Sequence, residues 1–157
     1  MIKKVILLLC LVVVSSVSAL SAEEFEVGWI KGQLMVKDGG PMSDGIVVFF
    51  NTKTGPPPAL DRYFRIPDEV SFTDAEGKFR VSIPVGKYFI GSIKRSTKEK
   101  VGPPLDGDYF FISEDKYGNP VQHSVESSNE SDLGVLGEAV PYKYSLPEGV
   151  TGMSGTI

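Results

Sequence analysis

His123 is the only histidine in this chain of 157 residues, and that scarcity removes most of the chemistry a chain of this size could carry. Metal sites built on histidine and most general-base mechanisms need more than one imidazole. A triad through His123 would also need a serine and an orienting carboxylate, and the context Asn119-Pro120-Val121-Gln122-His123 reads as a solvated turn or strand. Gly152-Met153-Ser154-Gly155 is not a nucleophile elbow, because its second glycine comes one residue early and no helix follows. No Cys-x-x-Cys-His is present, which excludes covalent haem. Acidic residues gather in Asp106-Gly107-Asp108 and Glu114-Asp115, the oxygen ligands calcium prefers, but their spacing matches no established loop and a solvated turn is favoured. The expectation is a chain that is not an enzyme, with no catalytic residue, metal or cofactor.

Binding chemistry is better represented. Gly55-Pro56-Pro57 is followed by Asp61-Arg62-Tyr63-Phe64, and Gly102-Pro103-Pro104 by Asp106-Gly107-Asp108-Tyr109-Phe110. Each is a stiff arm that delivers an acidic residue and a Tyr-Phe pair, and proline fixes the backbone before any partner arrives. Pro56, Pro57, Asp61, Tyr63, Phe64, Asp108, Tyr109 and Phe110 are therefore the candidate partner-binding residues. The competing reading is that both Tyr-Phe pairs enter the core as strands begin. A carbohydrate site is the alternative function, with Trp29, Tyr63 and Tyr109 stacking on sugar rings. Trp29 packed at a sheet edge is the plainer expectation.

The elements that must position these residues read as strands. Short alternating runs separated by Gly, Pro, Asp and Asn recur, with no sustained helical period. Strands are predicted around Ile30 to Val36, Gly45 to Asn51, Val70 to Thr73, Phe79 to Ile83, Tyr88 to Arg95, Tyr109 to Ser113, Gln122 to Val125 and Leu133 to Leu136. Ile46 to Phe50 is apolar on both faces, so that strand is either covered twice or carries an exposed apolar face. Residues 52 to 69 form a connection longer than a compact domain usually carries without a use for it. If all strands alternate in direction, the two proline arms lie at opposite ends of the fold; an extra strand at Tyr63 to Ile66 would bring them together.

The first 22 residues have the tripartite pattern of a cleavable signal peptide: Lys3 and Lys4, the apolar run Val5 to Val14, then small residues. Cleavage is placed after Ala22, with Ala19 and Ser21 as alternatives, and the run is too short to span a bilayer. Leu9 before Cys10 is too bulky for lipid attachment. Residues 23–157 would then carry no cysteine and 14 basic against 20 acidic residues, a net charge of −6. An acidic surface disfavours nucleic acid and anionic lipid as partners. The destination is secreted, periplasmic or cell-surface. The expected organisation is one domain over residues 23–147, with a tail at 148–157 that reads like the start of a further strand or a truncated repeat.

Gly32-x-Leu34, Gly40-Pro41-Met42, Gly45-Ile46-Val47, Thr73-Asp74-Ala75-Glu76-Gly77-Lys78-Phe79 and Gly86-Lys87-Tyr88-Phe89-Ile90 occur in an order that resembles carboxypeptidase regulatory-like domains, of the transthyretin-like or prealbumin-like type. The resemblance covers residues 28 to 95, with Asp132 to Leu136 similar to the closing strand. It implies a single antiparallel Greek-key β-sandwich of about seven strands. It also implies a non-catalytic accessory or interaction module that docks with or stabilises another exported or envelope protein; polysaccharide, on the strength of the aromatic residues above, is the other candidate partner. The hydroxyisourate hydrolases share that fold but rely on several histidines, which this chain lacks.

Overall fold

The computed structural model describes residues 26–37, 39–59, 65–98, 102–127 and 129–143. The expected signal segment and the 148–157 tail lie outside these residues. Nine strands follow in chain order: β1 (Val27–Val36), β2 (Gly40–Pro41), β3 (Ile46–Asn51), β4 (Glu69–Phe72), β5 (Lys78–Pro84), β6 (Gly86–Lys94), β7 (Tyr109–Ile112), β8 (Gln122–Val125) and β9 (Glu130–Pro141). The described residues contain no helix.

The protein is all-β, but its sheet is mixed and curled. The strand order is β2-β1-β9-β7-β6-β3-β4, with β5 also paired to β1 and β8 to β6. β1 and β9 run parallel, which corrects the expectation of a purely antiparallel sandwich, as nine strands correct the expected seven. The cause lies in β9. Its Glu130–Ala139 stretch pairs with β1, and its last residues, Val140 and Pro141, pair with β7. One long strand thus joins the two halves of the sheet. Its register against β1 slips on both sides of the Gln33–Val135 pair, and Gly134, in the first of these slips, has a φ of 60°, a left-handed conformation open to glycine.

The curl brings β5, β1 and β9 over β3, β6 and β8, and the core fills the space between. Ile30 and Leu34 of β1 point inward at a two-residue period. Phe49 packs edge-on against Phe79 at 6.0 Å and against Tyr88 at 6.4 Å between ring centroids, which ties the two halves together. Tyr88 is buried yet keeps its hydroxyl satisfied by donating to Pro84 O at 2.8 Å. The turn between β4 and β5 is shaped by Asp74, whose Oδ1 accepts from the Glu76 and Lys78 amides. Gly77 completes it at φ 71°, and a Cβ there would stand 2.3 Å from Leu34 O.

The two-faced strand is β3, and it is central, lying between β4 and β6. Val47 and Phe49 face the core, while Ile46, Val48 and Phe50 face the opposite side. What lies over that second face is the functional question.

Candidate functional site

The outer face of β4-β3-β6-β7 is apolar across all four strands. Register places Phe72, Ile46, Ile93 and Phe110 in one row and Val70, Val48, Gly91 and Ile112 in the next. The first proline arm leaves β3 after Asn51 and returns at β4; the second leaves β6 after Lys94 and returns at β7. Because β3 and β6 are antiparallel, the arms stand at opposite ends of the strands, as alternation of strand direction predicts. Both nevertheless fold over this one face. Pro58, Arg65, Ile66 and Pro67 from the first, and Arg95, Gly102, Pro103 and Pro104 from the second, wall a groove of about 670 Å³ above the sheet.

Each arm is tied by the same device. In the first, Arg65 Nη1 donates to Gly55 O at 3.0 Å and Pro56 O at 2.9 Å, and its Nη2 pairs with Asp68 Oδ2 at 3.0 Å. Its guanidinium also lies over the Phe50 ring, 5.5 Å from the centroid. Asp68 in turn accepts from the Asn51 amide at 2.7 Å. In the second, Arg95 donates to Pro103 O at 2.7 Å and to Gly102 O, and pairs with Asp108 Oδ2 at 2.9 Å. The shared logic follows from composition. Consecutive prolines supply no backbone N–H, so neighbouring carbonyls need a side-chain donor, and arginine offers five in a planar fork.

Asp108 is the hub of the second arm. It is 0% exposed and accepts from the Ser96 amide at 2.7 Å, Ser96 Oγ at 2.9 Å and the Leu105 amide at 2.9 Å, besides Arg95. Burial pushes its carboxyl upward, but these hydrogen bonds outweigh it and hold the group below its ordinary value. Asp108 is therefore a positioning residue and offers no surface to a partner, a correction to its expected contact role.

The other sequence-predicted residues divide. Pro56 is exposed and Pro57 half-buried, and both belong to the first arm beside the groove wall formed by Pro58. Tyr109 and Phe111 turn to the core while Phe110 and Ile112 face the groove, so strand alternation splits the expected Tyr-Phe pair. Phe110 also meets Tyr142 edge-on at 6.3 Å. Asp61, Tyr63 and Phe64 lie outside the described residues. Ile66, Val70 and Phe72, exposed at 89%, 46% and 57%, are groove residues that sequence reasoning missed. The signal for them was the two-faced apolar run of β3, since any strand beside it must continue the same outer face.

The opposite outer surface differs in kind. Lys31 pairs with Glu130 at 2.9 Å and Asp132 at 3.4 Å, and Arg80 pairs with Glu130 at 2.5 Å. Arg80 also covers one face of Trp29, 3.7 Å from its centroid. Trp29 is opposite Glu130 and Tyr109 opposite Pro141, so roughly 36 Å of β9 separates them at about 3.3 Å per residue. They form no common sugar platform. His123 is not a solvated residue: it is half-buried on β8, its Nε2 2.8 Å from the buried Ser113 Oγ, and burial lowers its pKa. Asp115 caps its own turn by accepting from the Tyr117 and Asn119 amides. Among the described residues no group of three His, Cys, Asp or Glu side chains could hold a metal ion, and no helix is long and apolar enough to cross a membrane.

The sequence matches no protein-family model and no curated protein. The reading of function rests on the groove itself.

Proposed function

We propose that this protein is a non-catalytic, exported accessory module of the carboxypeptidase regulatory-like, transthyretin-like type, and that its apolar groove docks another exported or envelope protein. The observation that carries the reading is the bracketing of one apolar sheet face by two arginine-tied proline arms. Arms tied in this way have little conformational freedom left to lose on binding. The groove also exposes large apolar side chains side by side, whereas isolated apolar residues on a surface need no explanation. The charged surface across the sandwich is already neutralised by its own ion pairs, so the groove is the face with unused binding capacity.

The test compares the tagged protein with its Ile66→Lys/Val70→Lys variant as bait for the host's exported and envelope fractions. Both positions are exposed enough that the melting temperature should change by little. A protein retained by the parent and lost by the variant supports docking through the groove. Equal retention by both, or none by either, refutes it.

A further inference from the structure

The apolar face runs one strand further than the groove. Phe72, Ile46, Ile93 and Phe110 form one register row, and Phe110 pairs in turn with Val140 of β9, which is 47% exposed. Tyr142, two residues on and still bonded to Asp108 O through its amide, falls on the same face and sets its ring against Phe110. The described chain therefore leaves the sheet at Lys143, on the β9 side of the groove. Residues 144–157 follow, and their composition suits an apolar surface. Tyr144, Leu146, Val150, Met153 and Ile157 stand among small residues, and Glu148 is the one charge in these fourteen, against 23% charged residues in the whole chain.

We propose that residues 144–157 are the groove's own occupant, laid across the strands from β9 toward β4, and that a partner docks by displacing them. The displacement rests on the docking function above; the contact itself does not. The walls of the groove select a single segment. The proline arms stand over the face from the two ends of the strands, which leaves the β9 and β4 sides as the ways in. A second copy would bring its own two arms against these before the two floors met. Reach is ample: β9 to β4 is four strand spacings of about 4.8 Å, roughly 19 Å, the span of about six extended residues. Pro147 and Gly149 come where the chain must swing from the strand direction into the groove, and Val150 to Ile157 then supply eight residues to cross it. Tethering favours this occupant over any free one, since a segment joined by a few residues is present at about millimolar effective concentration. Its single charge also leaves little to desolvate on an apolar floor.

The experiment places a nitroxide spin label on the full chain through Ser154→Cys, with Cys10→Ser to leave one thiol, and follows the methyl resonances of Ile66, Val70 and Ile93 in the groove. Val135, exposed on β9 far from the groove, is the control. The expected result is strong broadening of the three groove methyls with Val135 unchanged, and loss of that broadening in Val150→Lys/Met153→Lys, whose tether has the same length. Broadening that persists in this variant, or that is missing from both proteins, overturns the contact. Spin-labelled chains mixed with isotope-labelled ones separate the source: broadening that passes between chains and fades on dilution overturns the contact in favour of a second copy. As bait, Val150→Lys/Met153→Lys should retain more of the groove-dependent protein than the parent does, and equal retention overturns displacement. If even this variant retains nothing, docking and displacement fall together, while the methyl resonances still judge the contact by itself.

Discussion

Replacing Asp108 with asparagine should destabilise the protein far more than the matching change at Asp68, although the two aspartates hold equivalent positions in the two arms. Asp108 is fully buried and answers four donors from Ser96, Leu105 and Arg95. The amide turns an NH₂ toward some of these donors and leaves the Arg95 charge, 6% exposed, without its counter-ion. Breaking a buried pair from one side costs about 3–5 kcal/mol, or roughly 12–20 °C at about 4 °C per kcal/mol for a domain of this size. The Arg65–Asp68 pair is wetter, with Asp68 28% exposed, and solvent screening limits the loss in Asp68→Asn to about 1.5 kcal/mol or less. Urea denaturation of both variants at neutral pH measures the contrast. The folded-state carboxyl of Asp108 lies below its ordinary value of 3.8. Its contribution is therefore complete above that value and is lost as pH falls through the folded value, a component Asp108→Asn should lack. Losses of equal size at Asp68 and Asp108, or a loss under about 1 kcal/mol at Asp108, would refute the assignment of Asp108 as the buried anchor.

Other expectations follow from the same geometry. Phe49→Ala removes the ring that meets both Phe79 and Tyr88 and should cost about 3–5 kcal/mol in urea unfolding; a loss under about 1 kcal/mol would mean the two halves of the sheet do not pack through it. Gly77→Ala puts a Cβ 2.3 Å from Leu34 O at a left-handed φ and should lower stability by at least about 2 kcal/mol, whereas an unchanged midpoint would rule out this turn geometry. His123 has its pKa lowered from 6.5 by burial, so below about pH 6.5 the unfolded chain takes up a proton that the folded one resists. That contribution is present above pH 6.5 and declines as pH falls toward the folded value, at no more than about 1.4 kcal/mol per pH unit. His123→Gln should therefore flatten the fall in urea midpoint between about pH 7.5 and 5.5, and an identical fall in both proteins counts against a buried neutral imidazole.

Much of the strand plan was legible because it depends on local pattern. Phe79, Val81 and Ile83 alternating with Lys78, Arg80 and Ser82 describe a half-buried strand wherever it sits, and Asp74 to Gly77 describe the turn before it. The two Gly-Pro-Pro arms were visible as a repeated motif, and the antiparallel neighbours β3 and β6 put them at opposite ends. The parallel β1–β9 pairing was not visible, since strand direction in a curled sheet depends on which distant strand a late strand reaches.

The sequence by itself determined that the chain builds strands, that β3 is apolar on both faces, and that two stiff proline arms interrupt the pattern. Those properties belong to side-chain type and to a period of two residues. Only the tertiary structure decided that both arms fold over the same face, that Arg65 and Arg95 tie them, and that Asp108 is an anchor rather than a contact. Arg65 ties Gly55 from ten residues further along the chain, and Arg95 ties Gly102 from seven residues before it. Those two separations run in opposite directions with no common spacing, so the likeness of the two arms exists only once the chain has folded.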